Sequence, residues 1–168
     1  MAEHMPIRHP LLVALEESGL GQAMREQMLL YPVVEVLHIL GFIALFSGIV
    51  LFDLRVLGFG RGLGPLLRPE ALSRIALPVA AGGLGLAILM GILLFATEAT
   101  HLAANPAFRL KLILILLGFA NLAAFHFMPW GRMATWPATP PLPAKLAAGF
   151  SLLIWISVAI CGRLIAYL

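Results

Sequence analysis

Four apolar stretches dominate this sequence: residues 31–57, 75–97, 108–128 and 146–168. A helix that crosses a bilayer needs about 20 mostly apolar residues, and each stretch meets that length. In hydrocarbon every backbone amide must find its partner within the chain, so each stretch is expected to fold as a helix. Composition agrees. The hydrophobic set is 61% and charged residues are 11%, with a mean hydropathy of +1.00. A soluble domain is about 45–50% apolar and about 25% charged. The surplus must therefore face the lipid bilayer. A disordered chain, a disulfide scaffold, a coiled coil and a nucleic-acid module are excluded. The pI near 9.6 rests on a net charge of only +3 spread over short loops, so it points to no nucleic acid. Cys161 is the single cysteine, which forbids an intramolecular disulfide.

The linkers carry helix breakers. Glycines alternate from Gly58 to Gly64 and are followed by Pro65 and Pro69. Their spacing is not that of a dinucleotide loop, and a flexible connection is expected. Pro137, Pro140, Pro141 and Pro143 mark the last linker. Asn105-Pro106 is a start signal for the third span, with Asn as N-cap and Pro at the first helical position.

Residues 1–30 form a separate, amphipathic N-terminal segment ahead of the membrane domain, residues 31–168. Glu3, Glu16 and Glu17 stand where a signal peptide would be basic, so no signal peptide is read. Pro10 opens one short helix and Ser18-Gly19 interrupts it. Leu11, Leu12, Leu15, Leu20, Met24 and Met28 supply an apolar face, while Glu16, Glu17, Arg25 and Glu26 are expected to stay in water. Such a segment lies along the membrane interface.

Orientation follows from the loops. Arg55, Arg61, Arg68, Arg74, Arg132 and Lys145 fall on one side, and the termini fall on the other. The positive-inside rule places these cations in the cytoplasm and both termini outside. Trp130 and Trp136 then fit one aromatic belt, and Tyr31 and Tyr167 the other. Small residues recur every four positions, Gly83-Ala87-Gly91 on the second span and Ala44-Gly48 on the first. They allow close helix approach, and packing within an up-down-up-down, all-α four-helix bundle is the expected use. A homo-oligomer or a larger membrane complex is the further use of such stripes.

Ionisable groups inside spans mark function by default. Glu35 and His38 lie three apart on the first span, and Glu98 and His101 three apart at the end of the second. Antiparallel helices bring both pairs to the outer end. Arg109 and Lys111 open the third span at that level, and Arg163 lies near the end of the fourth. The leading reading is a small membrane redox or metal-binding subunit, which takes either of two cofactor forms. Glu35, His38, Glu98 and His101 could ligate a single divalent metal, since this spacing aims carboxylate and imidazole at one cation. A di-iron centre lacks its two further Glu residues. His38 and His101 could instead be the axial ligands of haem b, with Gly41 leaving room and Lys111 or Arg163 pairing a propionate. Or the charges only pair, Glu35 with Arg163 and Glu98 with Lys111 or Arg109, in a non-catalytic membrane subunit or scaffold. A proton or solute path, as in a small oligomeric transporter, comes third.

His126 lies near the inner end of the third span, too far in depth from His38 to share its haem, and reads as belt beside Trp130. It is the secondary suspect for a second cofactor. Asn121 and Ser47 are expected to bond between helices. Asp53, Arg55 and Arg74 are expected to form an interface cluster. No Ser-His-Asp order, Cys pair or phosphate loop is present, so no hydrolase is read, and the chain is not expected to be an enzyme on its own.

The stretches Leu30–Phe42, Asn105–Lys111 and Gly162–Leu168 resemble a family of small, uncharacterised bacterial inner-membrane proteins with four helices. The resemblance covers the chain from about residue 11 onward. It implies the four-helix fold and the bacterial inner membrane, and no activity. Glu35, His38, Lys111 and Arg163 fall within the resembling stretches.

Overall fold

The computed structural model describes residues 7–60, 68–133, 136 and 139–167. The glycine-rich linker from Arg61 to Leu67 lies outside the described residues, as do Glu3 and Pro137. Among the described residues four helices are long and apolar enough to cross a membrane. They are α3 (Leu30–Leu57), α4 (Pro69–Thr97), α6 (Pro106–Phe127) and α7 (Leu142–Leu164). Three short helices accompany them: α1 (Pro10–Glu16), α2 (Gly19–Glu26) and α5 (Ala99–Ala104).

Each boundary has a local cause. Pro10 and Pro69 open α1 and α4, where a missing amide is harmless. Ser18 caps α2 by accepting from Gly21 N at 3.2 Å. Asn105 caps α6 as its sequence promised, with Oδ1 accepting from Ala107 N at 2.9 Å and Phe108 N at 3.2 Å. Gly58 ends α3 in the left-handed region at φ 109°, and its amide reaches the Leu54 and Arg55 carbonyls. The helices outrun their apolar windows at the N-terminal ends. α4 starts at Pro69 rather than residue 75, and α7 at Leu142 rather than 146. A first turn opened by proline extends past the lipid into water, where no apolar signal is needed. α7 stops at Leu164 and gives way to a turn.

α3 packs against α4 on one side and α7 on the other, and α6 packs against α7. α4 and α6 share little backbone contact and meet where Phe95 stacks on Phe108, ring centroids 5.3 Å apart. The α3–α4 seam is the tightest. Val34, Gly41, Leu45, Gly48 and Phe52 are buried on α3, at alternating three- and four-residue spacing once His38 is added to the series. Ala76, Ala80, Gly83 and Ala87 face them from α4. The small-residue stripes thus serve packing within the chain. A Cβ on Gly83 would lie 2.5 Å from Leu45 N and 2.6 Å from Gly41 O.

Leu45, Ala80, Ile154, Trp155 and Val158 form the mid-bundle core, with Phe42, Phe46, Leu84, Leu114 and Ile115 against it. A second cluster of Phe52, Val56, Ala76, Ala144 and Ala148 closes the far end, together with Phe125, Trp130 and Trp136. Many large apolar side chains point outward, among them Ile39, Ile43, Ile75, Leu116 and Leu153. A soluble domain would not tolerate that surface, whereas a bilayer requires it.

Candidate functional site

At the end of the bundle that carries the termini, His38 sits in the α3–α4 seam. Its Nδ1 lies 2.7 Å from the Ala87 carbonyl oxygen. Gly91, one turn further along α4, leaves space for the ring, since a Cβ there would come within 3.2 Å of Cε1. A carbonyl only accepts, so Nδ1 carries the hydrogen and the neutral ring keeps its lone pair on Nε2. Lys111 of α6 and Glu35 of α3 are the charged groups acting on this imidazole. The Lys111 ammonium extends toward α7 beside Gly162, where an added Cβ would be 3.8 Å away. Glu35 and Glu98 both act on Tyr31, so the two carboxylates border the same outer layer.

The other expected partners are placed differently. α4 breaks at Glu98, at φ −144° and ψ 49°, and His101 belongs to the separate helix α5. Glu98 and His101 therefore do not share a continuous helical face, and both are exposed. Among the described residues no three His, Cys, Asp or Glu groups come together as a metal would require. The expected ion pairs are not formed either. Arg163 donates to Tyr167 Oη at 2.6 Å and stacks over its ring at 4.9 Å, in place of Glu35. Arg109 donates through Nε to the Ala103 carbonyl at 2.7 Å, in place of Glu98. Long cations at a helix end find nearby carbonyls and hydroxyls more readily than a distant carboxylate. The ion pair formed between described residues is Arg74–Glu70, at 3.6 Å and exposed. His126 lies exposed at the opposite end, edge-on to Phe127 at 5.2 Å.

The N-terminal helices are bound to the break in α4. Glu16 was expected in water; instead its Oε1 accepts from Thr100 N at 2.9 Å and from Thr100 Oγ1 at 3.0 Å. It thereby satisfies an orphan amide in the first turn of α5. Arg25 donates to the Thr97 carbonyl at 2.9 Å and to the Glu16 carbonyl at 2.6 Å, covering the C-terminal end of α4. Met24 is fully buried between these elements, and Gly21 packs against backbone of Glu16 and Ala96. Leu11, Leu20, Met28 and Leu29 keep an exposed apolar face.

A polar group that the sequence reading misplaced lies at the other end. Asp53 is 5% exposed and does not join Arg55 and Arg74 at the surface. It faces α7, where the Ser151 hydroxyl acts on it, and its Oδ2 has no partner among the described residues. The signal was Ser151, which falls on the buried stripe Ala144, Ala148, Ser151, Trp155, Val158 of α7. A hydroxyl on a core stripe calls for a polar neighbour. Asn121 does bond between helices, donating to the Ala147 carbonyl at 3.2 Å. His38 and Asp53 are fifteen residues apart on α3, roughly 22 Å along its axis, and the mid-bundle core lies between them.

Fold and polar layers together define a multi-pass, all-helical membrane protein. The sequence matches no protein family, and no curated protein or solved structure matches it.

Proposed function

We propose that this chain is a bacterial inner-membrane subunit, both termini outside, that binds haem b or a single divalent metal through His38. The observation that carries this reading is the 2.7 Å approach of His38 Nδ1 to the Ala87 carbonyl. Ligating histidines are typically held this way, with one ring nitrogen donating to a carbonyl and the other left free to ligate. Gly91 makes room for the ring, and Lys111 supplies a cation for a haem propionate. His101 is the proposed second axial ligand. In the metal case Glu35 and Glu98 join the ligand set.

Absorption spectroscopy and metal analysis of protein expressed with ample iron and haem test this directly. His38→Ala and His101→Ala are expected to abolish the bound group, and His126→Ala to retain it. Glu35→Gln separates the two ligands. It should be nearly as damaging as His38→Ala for a metal, and milder for haem. Colourless, metal-free wild-type protein refutes the proposal.

A non-catalytic membrane subunit or scaffold is the second reading. The lack of a three-group donor cluster among the described residues favours it. Transport is the least supported, because Leu45, Trp155 and their neighbours fill the middle of the unit with apolar side chains.

A further inference from the structure

We propose that Asp53 and Ser151 form a binding site for one small monovalent cation, a proton or Na⁺, at the end of the bundle opposite His38. The site does not depend on the His38 reading. Asp53 is 5% exposed and Ser151 8% exposed, on facing stretches of α3 and α7. An ionised carboxylate accepts at both oxygens and offers no donor. Ser151 provides one hydroxyl, and Oδ2 has no partner among the described residues. Within the membrane a carboxylate oxygen left bare is strongly unfavourable, so the folded protein covers it with a cation.

The surroundings specify what kind. Phe52, Val56, Ala76 and Ala148 pack this region from α3, α4 and α7, and Phe125 packs from α6. These neighbours are apolar and bring no further charge, so a single positive charge balances the carboxylate.

Among the described residues no charged group takes the role. On α3, Arg55 donates to the Phe59 carbonyl at 3.3 Å. On α4, Arg74 is paired with Glu70 at 3.6 Å. On α6, His126 lies against Phe127. On α7, Lys145 precedes Ser151 by six residues. None of these four acts on Asp53. The mid-bundle core separates the site from the outer layer.

Infrared difference spectroscopy of the full chain in detergent, wild type against Asp53→Asn, reads the occupant. A protonated-carboxyl band lost in Asp53→Asn and indifferent to NaCl identifies a proton. A carboxylate band that shifts with NaCl, and is likewise lost in Asp53→Asn, identifies Na⁺. A carboxylate band from Asp53 indifferent to both pH and NaCl overturns the site. Ser151→Ala guards against misfolding of the Asn variant. It removes a neutral hydrogen bond that favours the ionised carboxylate, so the affinity should change roughly three- to tenfold, upward for a proton and downward for Na⁺. An unchanged affinity in a folded Ser151→Ala protein overturns the pairing of the two residues.

Discussion

Adding one methyl group to Gly83 should open the α3–α4 seam, while adding one to Gly82 should do nothing harmful. The two glycines are adjacent on α4, so helix propensity and position along the helix are matched, while Gly82 is exposed and Gly83 buried. They differ in what they face. A Cβ on Gly82 meets nothing within 4 Å, whereas on Gly83 it meets Leu45 N at 2.5 Å and Gly41 O at 2.6 Å. Both opposing atoms belong to the backbone of α3, so no side chain can rotate aside. Restoring an ordinary van der Waals distance requires the helices to part by roughly 1 Å, and a gap of that size forfeits about a quarter to a half of each dispersion contact it affects. Overpacking of this kind costs about 1–3 kcal/mol. In lipid the loss is not offset elsewhere, because close packing itself drives the association. The Ala87 carbonyl lies one turn from Gly83, so the same movement lengthens its bond to His38. Unfolding of the purified protein in a denaturing detergent, followed by circular dichroism, is the assay. Gly83→Ala should unfold well before wild type and Gly82→Ala at or slightly after it. Coincident midpoints for the two variants would sink the close-approach account.

Three further outcomes are expected. Glu16→Ala leaves the Thr100 amide uncapped and should lower stability by about 1 kcal/mol, a typical capping loss; amide exchange at Thr100 and His101 should rise, and an unchanged rate there would count against the clamp. Asn105→Ala removes the cap of α6 together with the bond from Nδ2 to the Ile165 carbonyl at 3.2 Å, for a loss of about 1–2 kcal/mol by thermal unfolding, and a fully conserved midpoint speaks against it. With both termini outside, cysteines at Leu20 and Tyr167 should react with an impermeant thiol reagent in intact cells and those at Phe59 and Thr139 should not; the reverse pattern inverts the orientation.

The four helices could be read from residues because lipid imposes a rule that ignores tertiary detail: twenty apolar residues in a row have one fold open to them. The Asn105-Pro106 start and the glycine end at Gly58 are equally local, since each is set by one or two backbone groups. The polar layers were legible only in part. Sequence spacing put Glu98 and His101 on one helix face, but α4 breaks at Glu98, and the backbone groups freed there are bonded by Glu16 and Arg25, more than seventy residues away. Arg163 was matched to Glu35 by charge, yet Tyr167, one turn away, reaches it first. Asp53 was assigned to the surface because Arg55 and Arg74 lie nearby in the sequence. Its true direction follows from the rotation of α3 against α7, which no window of one helix contains. His38 was singled out for its charge type. Its contact with Ala87 depends on Gly91 lying opposite it on the other helix.

The seams also carry an order of assembly. The glycine-lined seam joins α3 to α4, and the next most extensive joins α6 to α7; each links neighbours along the chain. Local pairings of this sort close with little loss of chain entropy, ahead of distant ones. The protein is therefore built as two helical hairpins, each able to zip as its second helix enters the bilayer. The meeting of α3 with α7, which buries Trp155 and brings Ser151 to Asp53, is the joint between the two halves and forms last. The His38 layer belongs to the first hairpin, whereas the Asp53 site exists only once both hairpins have docked.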